Sequence, residues 1–376
     1  MFYFMPGTYL PNTAATNRCL AYLRHLSEQQ IDTSVVFFSP NGERTTMAAM
    51  PYIKVYDLWK SYAFKKGALS YLSLLWNLLL FRCRLKKGDV VYCYENVQYW
   101  KLFLKKGVRV YSEYTENPDV IGLGGRFLHT SKQRFEAFSK KLTGMFVIST
   151  ALKEYFQSRG MEESRIHIIN IIVDDKRFEG IEKEAVSEPY IAYCGSAYNN
   201  KDGVDQLIRA FALTHKVHPD IKLYIIGASP RKDQECSNVQ LAEDLGVRNS
   251  IVFIGQIPSE KIPQMLKNAR MLVLDRPQNV QAQYGFPTKL GEYLLTGNTT
   301  VLTRVGDMPL FLKDKVSTIF AQPDDPTDFS EKMNWCLENP EEAAAIGECG
   351  KEVALQHFNY RIETQKMVEI MLKHDK

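Results

Sequence analysis

The stretch Tyr284-Gly285-Phe286-Pro287-Thr288-Lys289-Leu290-Gly291-Glu292 lies between two apolar runs, Met271 to Leu274 and Thr299 to Thr303. Both runs have the length and composition of buried strands. Between them a helix is predicted to open near Pro287, because proline lacks only an N–H that the first helical turn leaves unpaired anyway. Gly285 allows a ligand to approach the backbone closely. The free N–H groups of a helix start attract phosphate. Glu292 follows about one turn later, within reach of a ribose hydroxyl. A glycine, a helix start and a carboxylate in this order describe half of a site for a nucleoside diphosphate.

The same alternation extends in both directions. Downstream of a charged, pattern-free stretch from Glu179 to Pro189, strands are expected at Tyr190–Cys194, Lys222–Ile226 and Ile251–Ile254. Helices are expected at Gly203–Thr214, Val239–Leu245 and Lys261–Asn268. Upstream, strands are expected at Phe2–Met5, Thr33–Phe38, Ile53–Tyr56, Asp89–Tyr94, Val108–Tyr111 and Met145–Ile148. Helices are expected at Thr13–Leu26, Leu69–Phe81, Val97–Lys105 and Ala151–Ser158, the last capped by Ser149. Strands separated by helices imply parallel sheets covered on both faces. The Glu179–Pro189 stretch reads as a linker between domains at 1–180 and 188–358.

Length agrees, since 376 residues suit two domains. The composition, 45% hydrophobic and 24% charged, is that of a soluble globular protein. Seven scattered cysteines without a Cys-x-x-Cys pair read as buried free thiols in a reducing compartment. Met1 to Met5 has no basic flank and reads as a first strand rather than a leader, so a cytoplasmic location is expected. Residues 1–180 carry 25 Lys and Arg against 16 Asp and Glu, and the rest carry 22 against 27. A basic first half suits an anionic partner such as a membrane surface, a lipid-linked pyrophosphate or nucleic acid, or is simply solvated. The run Leu69 to Phe81, flanked by Lys65, Lys66, Arg82, Arg84, Lys86 and Lys87, is too short to span a bilayer. It reads either as a core-facing helix or as one lying at the inner face of a membrane.

The Tyr284–Glu292 segment resembles the C-terminal signature of retaining GT-B glycosyltransferases of family 4, written roughly E-G-F-G-x-P-x-x-E-A-x-A-x-G-x-P-V. Gly285, Phe286, Glu292 and Gly297 fall in register, and Tyr284 stands where the family has its first Glu. Gly195-Ser196-Ala197-Tyr198-Asn199-Asn200-Lys201-Asp202-Gly203 resembles the family's G-R-x-x-x-x-K-G loop. Lys201 matches the Lys, and Ser196 stands in place of the Arg. The resemblance implies two Rossmann-like doubly wound domains facing across a cleft, with a C-terminal helix (359–376) returning to the first. It implies transfer of a sugar from a nucleotide-diphosphate donor to a glycan or lipid-linked acceptor, as in bacterial surface polysaccharide assembly. No cofactor, metal or nucleic acid is implied.

Lys201 and Glu292, carried over from the resemblance, and Glu116, from the carboxylates after the strand at Val108–Tyr111, are the candidate catalytic groups. Gly7, Gly195, Ser196, Ile257, Tyr284, Gly285, Phe286, Pro287, Thr288 and Lys289 are the candidate donor contacts. Physically, a glycine turn plus an ammonium at a helix start is a sound phosphate site, while loss of the Arg removes a bidentate clamp for which Arg276 or Lys289 would have to compensate. Ser112 to Pro118 places two carboxylates, Glu113 and Glu116, at a strand's carboxyl end, as an acceptor contact or an ordinary polar loop. Gly122-Leu123-Gly124-Gly125 beside it reads as a loop that orders with ligand. His215 and His218 share a helix end without a third ligand, so no metal site is expected. Two rival readings are a sugar-nucleotide epimerase of the same fold and a non-catalytic nucleotide-sugar-binding scaffold.

Overall fold

A computed structural model of the chain describes residues 1–6, 14–38, 44–58, 68–94, 102–121, 132–197, 199–228 and 232–372. The chain forms two compact units, one of Met1–Ile172 with Tyr360–Lys376 and one of Val173–Asn359.

The first unit holds a seven-stranded parallel sheet. In chain order its strands are β1 (Phe2–Met5), β2 (Thr33–Phe37), β3 (Ile53–Asp57), β4 (Val90–Tyr94), β5 (Arg109–Tyr114), β6 (Gly144–Val147) and β7 (Ile166–Ile168). Their spatial order is β3-β2-β1-β4-β5-β6-β7. The second unit has β8 (Tyr190–Cys194), β9 (Lys222–Ile226), β10 (Ile251–Gly255), β11 (Met271–Leu274), β12 (Thr300–Thr303) and β13 (Ile319–Ala321). Their order is β10-β9-β8-β11-β12-β13. Both sheets thus run outward from a central pair, β1 beside β4 and β8 beside β11, as the doubly wound arrangement requires. In such sheets a ligand binds at the carboxyl ends of that pair, where the strand order reverses.

The core strands are apolar on both faces: β2, β4, β6, β8, β11 and β12 are buried at every residue. A parallel sheet covered by helices leaves no polar face to alternate. Ser149 caps Thr150–Ser158 as expected, its Oγ accepting from the Leu152 N–H at 3.2 Å. Strands β7 and β13 and the helix Val280–Tyr284 were not legible as elements. The predicted helix Val97–Lys105 falls largely outside the described residues, and of its described end 102–103 form a turn and 104–105 are irregular. Cys83, Cys236 and Cys349 are exposed, so those thiols are not buried as the sequence reading had it.

The stretch Glu179–Pro189 belongs wholly to the second unit. Its fastening is polar. Lys183 Nζ donates to the Ala269 carbonyl (3.0 Å) and Asn298 Oδ1 (3.2 Å), Glu184 N–H to Asn268 Oδ1 (2.9 Å), and Gln264 to the Glu182 carbonyl (2.9 Å). These bonds need no apolar periodicity, which is why the stretch reads as a linker. The helix Tyr360–Leu372 packs in the first unit, with Met367, Val368 and Met371 in the core beside Phe2, Leu23 and Leu26. Arg109 donates to the Met371 carbonyl (3.0 Å), and Tyr360 donates to Glu28 (2.9 Å).

One polar network lies inside the first unit. Glu113, on β5, is fully buried. Arg18, from the helix Ala14–Glu28, meets it at 2.6 Å through Nε and donates its other N–H groups to the carbonyls of Asn170 (2.7 Å) and Ile169 (3.0 Å). The Tyr22 hydroxyl lies 3.1 Å from both Glu113 oxygens, and the Tyr92 hydroxyl donates to Oε2. Burial, reinforced by Glu113, pushes the Tyr92 phenol well above its ordinary value, so it stays a neutral donor. Glu113 is therefore a closed structural group, and the acceptor role open to it on the sequence is withdrawn.

A candidate anion site at the carboxyl ends of β8 and β11

Three strands of the second unit end in glycine turns. Gly195, Gly227 and Gly255 follow or end β8, β9 and β10 with φ of +152°, +115° and +72°. Gly195 N–H donates to the Ile226 carbonyl (2.9 Å), and Gly227 N–H to the Gly255 carbonyl (2.8 Å). A Cβ on Gly227 would overlap the Gly195 carbonyl oxygen, so the turns are stacked too closely for any side chain. Gly203, at φ +60°, precedes the 14-residue helix Val204–Val217 and lies against the Asp275 carbonyl, where a Cβ would also overlap.

Onto this floor the quoted segment brings Lys289. Its Nζ bonds Asp202 Oδ2 at 2.5 Å and Tyr193 OH at 3.0 Å, and it occupies the space a Cβ of Gly195 would take. Tyr193 OH lies 2.8 Å from both Asp202 Oδ2 and the Ser196 carbonyl. Burial pushes the Asp202 carboxyl up, but Lys289 and then Arg276 overcome it and hold the group below the usual range. Burial, partly offset by Asp202, pushes the Lys289 ammonium down, and Lys201 lies near enough to repel it further. The turn after β8 is thus flanked by two ammonium groups and one neutralising carboxylate.

The segment itself differs from expectation at its start. The helix opens at Lys289 and runs only to Leu295, seven residues, with Thr288 as N-cap and no side-chain cap. The Leu290 N–H is already taken by the Pro287 carbonyl at 2.9 Å. The cation at the start of this segment is Lys289, and the segment does not present a row of open helix-start amides. Tyr293 anchors the helix: its hydroxyl accepts from Cys194 N–H (2.6 Å) and donates to the Cys194 carbonyl (3.1 Å), fixing it to the end of β8.

The other predicted residues divide. Gly285 is buried, its carbonyl accepting from Arg276 at 3.4 Å. Phe286 is buried in an aromatic group with Phe311 (5.8 Å between centroids) and Phe358 (5.5 Å), so its ring is core rather than a donor contact. Pro287 is buried beside it, Thr288 is half-buried, and Tyr284 ends the short helix Val280–Tyr284. Ser196 is exposed on the turn, and Ile257 is half-buried in the loop after β10. Glu116 is half-buried just past β5, in the first unit. Gly7 and the Gly122–Gly125 loop lie outside the described residues. Arg276 is 1% exposed and holds the carbonyls of Lys201 (3.2 Å), Gly285 and Gln281, which makes it a brace for both loops rather than a replacement clamp.

Glu292 is about one-fifth exposed, and its Oε1 is ion-paired with Arg177 Nη1. Arg177 also donates from Nη2 to the Ser259 carbonyl and hydroxyl, both at 3.1 Å. Burial pushes the Cys194 thiol up to about 11, with Lys289 and Arg177 pulling against it, so Arg177 too acts on the end of β8. Arg177, Asp202 and Tyr193 are the site groups that sequence reasoning missed. Arg177 comes from the stretch just before the presumed linker, and no pattern marks it.

Two further features belong to this unit. A cavity of about 590 Å³ sits at the amino ends of β8, β11 and β12, lined by Pro189, Met271 and Thr299 among others, away from the glycine turns. Asp275, directly after β11, is 2% exposed, and its Oδ2 is buried without a hydrogen-bond partner among the described residues. Burial, then Asp324, Asp205 and Asp325, pushes its carboxyl well above the carboxylate range. The folded protein therefore holds a proton that the unfolded chain releases. Stability is expected to fall as pH rises from the ordinary aspartate range through the raised value. Asp275→Asn is expected to flatten that decline in urea unfolding series at stepped pH; an unchanged slope would show that Asp275 does not titrate this way.

Residues 174–353 match the family described as glycosyl transferases group 1. The second unit is a group 1 glycosyl transferase domain. The chain is 25% identical over 200 residues to the GDP-mannose-dependent alpha-(1-6)-phosphatidylinositol monomannoside mannosyltransferase of Mycolicibacterium smegmatis. That alignment covers 52% of this chain and 51% of the relative, so the chain spans about half of that relative's length. Among solved structures, Anabaena HepE in complex with UDP and glucose superposes with a TM-score of 0.75 at 16% identity, covering 98% of each chain. A glycosyltransferase from Rickettsia africae superposes at 0.78 with 14% identity, covering 99% of this chain and 98% of that one. These likenesses give the fold of the group 1 domain and its companion unit: two doubly wound α/β units of GT-B type.

Proposed function

We propose that the protein is a retaining, metal-independent glycosyltransferase. It moves a sugar from a nucleotide-diphosphate donor to a hydroxyl of a glycan or lipid-linked glycan, in the assembly of a bacterial surface polysaccharide. The observation that carries this reading is the Lys289 ammonium seated over the Gly195 turn, with Lys201 near enough to repel it, at the switch point of a group 1 domain. As the bond from sugar to phosphate loosens, charge grows on the leaving diphosphate. Ammonium groups fixed in place beforehand stabilise that charge without reorganising. Glu292, one turn further on, holds a ribose or sugar hydroxyl through the carboxylate oxygen not engaged by Arg177. The relatives named above, acting with GDP-mannose or solved with UDP, support a nucleotide donor without fixing its base.

Calorimetric titration with UDP, GDP, CMP and dTDP tests the reading. One diphosphate is expected to bind at micromolar concentration, with the affinity lost in Lys201→Ala. Glu292→Ala is expected to lower sugar transfer without unfolding the domain. Absence of binding to every nucleotide sinks the transferase. Ser196 and Tyr284, in place of the family's Arg and Glu, would then mark a non-catalytic subunit.

A further inference from the structure

The helix Ala68–Arg84 is apolar on two opposite faces. One face is explained by the fold. Leu74, Leu78 and Phe81 are buried, with Phe81 edge-on to Tyr3 (5.1 Å) and Phe103 (5.6 Å). The opposite face carries Leu72, Leu75, Trp76, Leu79 and Leu80, all exposed, with Leu72 at 60% and Trp76 at 64%. Their spacing of three and four residues aligns them in one stripe. A helix on the outside of a sheet ordinarily turns polar residues to solvent, and scattered apolar ones need no explanation, but a continuous stripe with a central Trp marks a contact surface.

Charge identifies the partner. From Leu58 to Gly88 the sequence has seven Lys and Arg and no Asp or Glu. Arg84, Lys86 and Lys87 are exposed at the end of the helix, and Lys105 and Lys106 are exposed beside them, with Lys105 Nζ bonded to the Leu85 carbonyl at 2.7 Å and Lys87 lying over Gly107. At 17 residues the helix is about 25 Å long, less than the roughly 30 Å of a bilayer's hydrocarbon core. Among the described residues no helix is long and apolar enough to cross a membrane. An apolar stripe with Trp at its middle, bordered by cations, has the chemistry of a helix lying in the headgroup region of an anionic bilayer.

We propose that this face of Ala68–Arg84 docks the protein on an anionic membrane surface, with Trp76 and its neighbouring leucines inserted and Arg84, Lys86 and Lys87 over the headgroups. The inference deepens the lipid-linked acceptor reading, but it rests on the first unit alone and is read without turnover. Co-sedimentation with phosphatidylcholine vesicles, with and without phosphatidylglycerol, is the test. Binding is expected to the anionic vesicles only, and to weaken with salt. Trp76→Glu with Leu79→Glu is expected to abolish it, and Arg84→Glu with Lys87→Glu to weaken it roughly tenfold or more. Both pairs are solvent-exposed, and circular dichroism checks that they fold. Wild-type protein that stays in the supernatant at low salt overturns the proposal. So does self-association in analytical ultracentrifugation that Trp76→Glu removes without any vesicle affinity, because the stripe is then an interface between copies. Vesicle binding without nucleotide binding keeps this inference and removes only the transferase.

Discussion

Lys289→Ala is expected to weaken nucleoside diphosphate binding by roughly tenfold to a hundredfold, the worth of one charge-assisted hydrogen bond in a sheltered site. The ammonium sits over the Gly195 turn and is held there by Asp202 and Tyr193. Its removal takes away the cation and also leaves Asp202, 3% exposed, with Arg276 at 3.9 Å as its remaining ion-pair partner among the described residues. Two causes are therefore superposed, and a second variant separates them. Lys289→Ala with Asp202→Asn removes the uncompensated carboxylate. If Lys289 holds the phosphates itself, the double variant regains stability against urea but not affinity. Recovery of full affinity in the double variant would make Lys289 a structural counter-ion and leave Lys201 as the sole phosphate ligand.

Arg18→Met is expected to cost the first unit about 3–5 kcal/mol, the usual penalty for stranding one charge of a buried pair. Glu113 would keep its hydrogen bonds from Tyr22 and Tyr92 but lose the charge that neutralises it, and two carbonyls, of Ile169 and Asn170, would lose their donor. Adding Glu113→Leu is expected to restore part of the loss, because an apolar pair needs no desolvation of charge. The recovery stays incomplete by the two carbonyl bonds and by the buried Tyr22 and Tyr92 hydroxyls, which lose their acceptor, about 1 kcal/mol or more for each of the four groups. Guanidinium unfolding of the two variants measures both steps. A single variant as stable as wild type would mean that the Arg18–Glu113 pair does not hold the first unit together.

The legibility of the fold varied with the kind of bond that makes each part. Met271–Leu274 was readable to the residue, because a parallel strand buried on both faces is a continuous apolar run. Ile166–Ile168 and Ile319–Ala321 have the same physics but only three residues, too few to stand out as a run. The floor of the candidate site was readable from glycines, since Gly195 and Gly203 are needed where backbone packs on backbone or on Lys289. Its polar partners were not. Arg177 reaches Glu292 across 115 residues, and Arg18 reaches Glu113 across 95, and neither pairing leaves a periodic trace. Phe286 failed in the opposite sense. A motif position in register says that a residue is needed, while only packing against Phe311 and Phe358 shows that the need is structural.

The first unit takes its last core residues, Met367, Val368 and Met371, from beyond the whole of the second. During synthesis, then, the ribosome delivers every residue of Val173–Asn359 before it delivers the helix that fills the earlier unit. The second unit can close as soon as it emerges, whereas the first must wait with Phe2, Leu23 and Leu26 uncovered. A chain that ends near Asn359 is thus a domain able to fold joined to one left unfinished, and it is that unfinished half, basic and apolar, that a chaperone would meet.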